Sequence, residues 1–515
     1  MTEAAEAGPR RRARRGGTRE AAPARDVNYR RLRNPFPPMK VFSDDRIAAM
    51  HDSALRVLED LGIRILLPEA REMFRQAGAS VDEDSQMVRI GREIVAAALA
   101  SAPRSITVHG GRPERDVLLE LGALNFQPGA GCPHATDLER GRRPGTARDF
   151  RELVQITQAF DVLHLVPPLV EAQDVDPNVR HYFTMQTQLV HSDKVPFIYA
   201  RGTPQVQESF EILRDFRGLS DAEFLAAPQT YTIINTNSPR QIDIPMAQGL
   251  IDFARAGQVA IVTPFTLMGA MAPITVAGAI TLSHAEALAA IVLNQLARPG
   301  APVLYGTFTS NVHMKSGAPA LGTPEHFKAS LAAGQLARLI GLPWRCATGS
   351  AANLNDAQAA HETQFALWGC LMAGATTVIH AAGWLEGGLT VSYEKLITDL
   401  EALQMVAELC AETPCSDDEI GFDAIAEVAP GGHFFAATQT MARYQTEFYE
   451  PLVADWSNYG TWTERGARDA SERAVDVWKR IVAADWRAPS DPARIGAMAE
   501  DIARRTEAGG APPES

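Results

Sequence analysis

Between about residues 123 and 390 the chain alternates two patterns. Short apolar, β-branched runs end in polar or small residues, and each leads into a longer stretch whose apolar positions recur three and four apart. The first pattern predicts buried strands and the second predicts helices. The strand candidates are "LNFQPG" from Leu124, "LHLVPPL" from Leu163, "PFIYAR" from Pro196 and "TYTIINT" from Thr230. They continue with "VAIVTPF" from Val259, "PVLYGTF" from Pro302, "WRCATGS" from Trp344 and "TTVIHAAG" from Thr376. Helical patterns such as "FRELVQITQAF", "PMAQGLIDFARAG" and "PEHFKASLAAGQLARLIG" separate them, with Pro324 suited to a first helical turn. Eight such β/α units are the count of a TIM (β/α)8 barrel, whose site would lie at the C-terminal ends of the strands. A doubly wound open sheet is the alternative, because periodicity does not show closure. No Gly-rich dinucleotide fingerprint follows any strand.

The flanks read differently. Residues 34–122 predict an N-terminal α/β cap, with helices in "DDRIAAMHDSALRVLEDLGIRI" and "GREIVAAALASAP" and a strand in "SITVHG". Residues 391–506 predict a helical extension, and 507–515 a tail. The first 33 residues carry Arg10, Arg11, Arg12, Arg14, Arg15, Arg19, Arg25, Arg30, Arg31 and Arg33. They lack the apolar stretch of a secretory signal and read as a disordered basic arm, or as a docking arm for an acidic partner.

Composition narrows the class. With 515 residues and 46% hydrophobic, the chain can bury a large core. A net charge of −13 and a pI near 5.5 suit a cytoplasmic metabolic enzyme and argue against a nucleic-acid binder. No apolar run approaches the ~18 to 20 residues of a membrane span. The five cysteines show no paired spacing and read as reduced thiols. Cys132 and His134 in "GAGCPHATD" lack the partner pair that a metal site would need.

If the barrel forms, its strand ends nominate Gln127, Arg201, Asn235, Asn237, Phe265, Tyr305, Phe308, Ser350 with the loop after it, His380, Trp384 and Glu386. This set holds no Ser-His-Asp order, no HExxH, no phosphate-cradling loop and no carboxylate pair. It is aromatic, with amides and one cation, which suits a small ligand, including a cationic one, held over ring faces. The same rings suit packing between barrel and helices. In the loop "SAANLNDAQ", Asn355 fits a helix cap with Gln358 reaching back, and Asp356 suits the first turn. Capping leaves "SAAN" without a role.

Several of these stretches carry a resemblance. "GAGCPHATDLERGRRPGTARDF", "TPFTLMGAMAPITVAGAITLSHAEALAAIVLNQLARPGAPVLYG", the "NDAQAAHE" loop, "GATTVIHAAGWLEGGLTVSYEKLITDLEAL" and "APGGHFFAATQTMARYQTEFYEP" run in order from about Gly129 to Pro451. The chain resembles the trimethylamine methyltransferase family, in its branch lacking pyrrolysine. The resemblance implies a TIM barrel. It also implies methyl transfer from a quaternary ammonium compound such as glycine betaine to the Co(I) of a corrinoid carried by a separate protein. Trimethylamine-using members carry pyrrolysine at a loop position that falls at or next to Asn353, where this chain has an ordinary amide. On this reading Asn353 and His380 are catalytic. Phe265, Tyr305, Phe308 and Trp384 cage the ammonium, and Arg201 or His134 holds a carboxylate. Asn237, Ser350, Gln358, His361 and Glu386 shape the pocket, and His433 with Phe434 closes its mouth. The implied partners are the corrinoid protein and further copies of the chain; neither a tightly bound metal nor a membrane is expected. The alternatives are a metal-dependent TIM-barrel lyase or hydrolase using Cys132, His134 or His380, and a non-catalytic betaine-binding protein.

Overall fold

Six of the eight strand-like runs become strands of three residues or more, the second and third hold only Leu165–Val166 and the end of Val195–Pro196, and a helix follows each. The computed structural model describes residues 28–484, 486 and 488–514. Tyr231–Thr236 pairs in parallel with Val259–Met268, and that strand with Val303–Gly306 and, further along, Phe308–Val312. Trp344–Ala347 follows, then Thr377–Ile379, then Ala123–Phe126, all parallel. Leu165–Val166 pairs with Val195–Pro196. The His164 N–H donates to the Phe126 carbonyl at 2.9 Å, and Phe197 bridges Tyr231. The result is a mixed α/β fold built on a curled parallel sheet.

Both faces of these strands are buried, which is why the runs are apolar throughout rather than alternating. Adjacent residues still divide between the faces, and those two apart share one. Leu165, Val195, Phe197, Tyr231, Val259, Ile261, Leu304 and Ile379 form one cluster on the inside of the curl. Ile234, Ala260, Val262, Val303, Tyr305 and Cys346 belong to a larger core shared with the helices. The antiparallel hairpin Ser105–Val108 with Val117–Glu120 adds Ile106, Val108, Val117 and Leu119 to the inner cluster. Because that cluster draws mainly on strand starts, the hairpin plugs the N-terminal end and leaves the C-terminal end open for a site.

Local sequence places the helices. Thr146 and Asp149 form a capping box at Ala147–Ala159. Thr275, Thr323, Asp356 and Ser392 accept from N–H groups of the first turns that follow them. Pro324 stands in the first turn of Pro324–Ile340, as its fixed φ favours. Val276–Ala297 corrects one expectation: its 22 residues are long and apolar enough to cross a membrane by length and composition. It is instead a core helix, apolar all round because Asp44–Arg56 and Arg92–Ser101 cover the side turned away from the sheet.

The chain divides into two units, residues 28–412 with 451–514, and residues 413–450. The cap 34–122 and the sheet 123–390 therefore belong to one unit, and the expected helical extension 391–506 is interrupted. Residues 413–450 form short helices, among them Phe422–Ala426 and Thr438–Arg443, with Phe422, Phe435 and Phe448 exposed. Residues 1–27 of the expected arm lie outside the described residues. The end of the arm is anchored: Leu32–Arg33 pairs with Ala123–Leu124, and Arg30 meets Asp161 at 2.9 Å. The tail is tied down as well, the Ala511 N–H donating to Asn178 and that of Glu514 to Arg201.

Four histidines are buried as neutral imidazoles. Desolvation pushes His284 and His380 well below the ordinary value, His326 to about 4 and His164 to about 3, with the Lys194 charge adding to the effect at His164. His164 Nδ1 accepts from the Phe126 N–H at 3.0 Å, so its ring helps join two strands. Its folded pKa lies below the unfolded value near 6.5, so between the two the unfolded chain holds more protons. Its contribution to stability is complete above about pH 6.5 and falls as pH drops toward 3, by about 3 kcal/mol at pH 4.5. His164→Gln is expected to reduce the fall in Tm between pH 7.5 and 4.5, read by calorimetry. Parallel curves for variant and wild type would refute the assignment.

Candidate active site

The aromatic wall stands where the strands end. His380 follows Thr377–Ile379 with a left-handed φ of 59°. Its ring stacks on the Trp384 indole, centroids 3.7 Å apart and planes within 3°. Phe308 lies 5.7 Å from His380 and 5.8 Å from Trp384, and Phe265 lies 5.0 Å from Phe308. Phe308, His380 and Trp384 are each 7% exposed, whereas Phe265 is half-buried. The indole is held tightly by backbone. A Cβ at Gly129 would stand 2.6 Å from it and one at Gly349 2.8 Å, so glycine is required at both. Thr348 Oγ1 donates to the His380 carbonyl at 2.7 Å and fixes the turn that carries the ring.

The electrostatics behind this wall are unusual. Arg345, 1% exposed, sits with its guanidinium 5.4 Å from the Phe308 ring centroid. Its Nη1 donates to the Thr307 carbonyl at 2.8 Å, and its Nε has no partner. Burial lowers its pKa to about 10, which leaves it charged at neutral pH. Burial first, and then the Arg345 charge, keep His380 neutral, and its Nδ1 is also without a partner. Gln127 Oε1 accepts from the Tyr231 hydroxyl at 2.7 Å, while its Nε2 is buried and unpartnered.

The loop before Ala357–Ala373 is organised by Glu362. Its carboxylate accepts from Ser350 Oγ at 2.7 Å, the Ala351 N–H at 2.8 Å and Gln358 Nε2 at 2.8 Å. Asp356, rather than Asn355, caps the helix, accepting from Gln358 and Ala359. A carboxylate at this position also meets the positive end of the helix dipole. Asn355 instead joins Ser471 at 3.0 Å and Thr398 at 3.4 Å. Asn353 stands exposed at the loop tip beside Leu354, which is 69% exposed.

The structure thus brings together Phe265, Phe308, His380 and Trp384. Gln127 lies beside them, its carbonyl accepting from the Ala381 N–H at 2.9 Å, and the remaining nominated residues lie elsewhere. Tyr305 lies on the helix side of its strand, its hydroxyl 3.1 Å from His284 on Val276–Ala297. Asn237 is engaged with Asp243 in the loop after Tyr231–Thr236. Arg201 forks onto Glu171, at 2.8 and 3.2 Å, and lies over Tyr199. His134 meets the Leu389 carbonyl and Arg142, and Arg142 in turn chelates Glu386. Burial raises the Glu386 pKa, but the Arg142 contact outweighs it and holds the carboxyl below its ordinary value. Ser350 and Gln358 serve Glu362, and His361 stacks on Phe365. Cys132 is fully buried, and burial raises its thiol pKa. His433 and Phe434 belong to the 413–450 unit. Sequence reasoning missed Arg345. The sign of Arg345 was a lone arginine at an inward position of the apolar run "WRCATGS".

This is a methyltransferase-family chain by direct comparison. The family model described as trimethylamine methyltransferase (MTTB) matches residues 9–510. A glycine betaine methyltransferase of Desulfitobacterium hafniense (strain Y51) is 32% identical over 450 residues, 87% of this chain and 93% of that protein. A trimethylamine methyltransferase of D. hafniense (strain DSM 10664 / DCB-2) is 31% identical over 472 residues, 90% of this chain and 94% of that protein. A solved monomethylamine methyltransferase of Methanosarcina barkeri superposes with a TM-score of 0.46 at 9% identity, over 86% of this chain and 88% of that one. The chain belongs to the trimethylamine methyltransferase family.

Glu362→Ala removes the acceptor shared by three groups of the loop. Hydrogen exchange at Ala351 and Ala352 is expected to accelerate about 10- to 100-fold, the equivalent of a charge-assisted bond. Unchanged exchange at these amides would show that the loop is held otherwise.

Proposed function

We propose that this chain transfers a methyl group from a small quaternary ammonium compound, glycine betaine or a near relative, to the Co(I) of a corrinoid carried by a separate protein. The setting is a closed (β/α)8 barrel. Closure is supported by the His164–Phe126 and Phe197–Tyr231 links, which join the two short strands to the curled sheet. The observation that carries the functional reading is the wall of Phe265, Phe308, His380 and Trp384, whose one titratable ring is held neutral. It is joined by the family relatives, named for glycine betaine and trimethylamine.

The chemistry asks little acid or base of the protein. The breaking C–N bond returns its electron pair to nitrogen, which leaves as a neutral tertiary amine with no proton to move. The corrinoid supplies the nucleophilic metal that takes the methyl group. The chain's residues must hold the ammonium, exclude water and align the methyl outward. Stacked rings do this without pinning the positive charge by strong polar contacts that would favour the ground state. Exposed Ile274, Met314, Leu354 and Leu389 stand on loops after strand ends, which supports approach of the acceptor from that side. Asn353, at the tip of one of these loops, is proposed to orient the donor, and His380 to align it as a neutral ring.

The test is methyl transfer to reduced cob(I)alamin with a panel of glycine betaine, proline betaine, carnitine, choline and trimethylamine. One quaternary donor is expected to react and trimethylamine is not. Phe308→Ala is expected to lower kcat/KM for that donor about 3- to 30-fold, the worth of one ring against a desolvated cation. A folded protein inert to the whole panel, with and without a corrinoid protein, would overturn the reading.

A further inference from the structure

Between His380 and Trp384 the chain makes a turn, and most of its backbone groups bond to other backbone. The Ala381 N–H goes to Gln127, the Ala382 carbonyl to Gly129 and the Gly383 carbonyl to Ser392. The Gly383 N–H differs: it donates to the Asp399 carboxylate, Oδ2, at 2.8 Å. Asp399 lies one helical turn after Lys395 on Tyr393–Cys410, and its Oδ1 accepts from Lys395 Nζ at 2.9 Å. The same ammonium donates to the helix Ala357–Ala373, to Thr363 Oγ1 at 2.8 Å and the Ala359 carbonyl at 3.4 Å. Ala359 and Thr363 flank Glu362, the carboxylate that orders the loop from Ser350 to Gln358. Lys395 is fully buried and Asp399 nearly so. Burial raises the Asp399 carboxyl above its ordinary value, and Lys395 and the Gly383 amide offset only part of that rise. Taking two charges out of water for one ion pair rarely gains stability over an apolar pair of the same shape. What such a pair does supply, when its hydrogen bonds are met on both sides, is fixed geometry.

We propose that Lys395 and Asp399 are positioning residues of the site. The carboxylate pins the turn that presents the His380–Trp384 stack, and the ammonium ties that turn to the helix whose Glu362 orders the loop. One buried pair thereby sets the register between the rings and the loop. Neither residue touches the donor; both act through the Gly383 amide and the first two turns of Ala357–Ala373. The consequence for catalysis rests on the methyl-transfer reading: rings displaced by about 1 Å misalign the methyl group and slow turnover without weakening the fold.

The experiment replaces the pair by side chains of similar shape in the full-length protein. Lys395→Met with Asp399→Leu removes both charges and the acceptor for Gly383. Its Tm is expected to equal or exceed that of wild type. Exchange at the Gly383 amide is expected to accelerate about 10- to 100-fold, and the near-ultraviolet circular dichroism that Trp384→Phe removes is expected to shrink. Methyl transfer to cob(I)alamin is expected to fall about 10- to 100-fold. Lys395→Met with Asp399→Asn keeps an acceptor for Gly383, and is expected to stay within about threefold of wild type in exchange and turnover. Lys395→Met with Asp399→Ala serves if the leucine prevents folding. Wild-type exchange at Gly383 or an unchanged Trp384 signal would make the pair a structural contact only, as would a loss of turnover that tracks a loss of Tm. Wild-type protein inert to every methyl donor would remove the methyl-transfer reading, while exchange and dichroism would still decide the positioning.

Discussion

Burial of the parallel strands on both faces is the constraint from which the rest follows. Each inward position must be filled from inside the curl and each outward one from the helices, so parity along the strand decides what a side chain can reach. Tyr231 joins the inner cluster while Ile234 joins the outer core. Tyr305 looks outward to His284, and Arg345, one residue after outward-packed Trp344, looks inward to Phe308. The hairpin plug at the strand starts fixes which end is left for chemistry. A wall of rings then forms because three strands send aromatic side chains to the same side: Phe265 from Val259–Met268, Phe308 after Val303–Gly306, and His380 with Trp384 after Thr377–Ile379.

Much of this was legible in the sequence. Strand and helix alternation, the helix caps and the position of Pro324 depend on local patterns a few residues long, and the strands appear where those patterns lie except Val195–Pro196, which meets its run only at Pro196. Phe265, Phe308, His380 and Trp384 were legible as strand-end residues. What was not legible depends on contacts distant in sequence. Tyr305 and Phe308 sit three apart in one apolar run, an odd spacing that puts them on opposite faces, and only the contact with His284 shows that Tyr305 is the one facing the helices. Arg201 was an attractive carboxylate ligand until Glu171, thirty residues earlier, was found to occupy it. Asn355 lost the cap to Asp356 because Ser471, far along the chain, holds its amide. Arg345 escaped notice because an arginine in an apolar strand is informative only once its surroundings are known to lack an acid.

The site combines two electrostatic elements usually found apart. The rings and the neutral His380 make a surface tolerant of a cation, and a permanent guanidinium stands directly behind it. In the proposed reaction the departing amine is neutral, so that reading asks nothing in this arrangement to give or take a proton. On that reading placement and exclusion of water carry the reaction, and the structure supplies rigidity for it in a loop that Glu362 clamps and an indole that glycine backbone grips.

The absence of proton transfer is the central claim, and the most direct measurement of it is the pH profile of kcat/KM for methyl transfer from the reactive donor, in H2O and D2O. The account predicts a flat profile between about pH 6.5 and 9, since His380 titrates well below this range and Arg345, at about 10, above it, with a solvent isotope effect near unity. A bell-shaped profile with a solvent isotope effect of about 2 or more would place a general acid or base in the step and contradict the account.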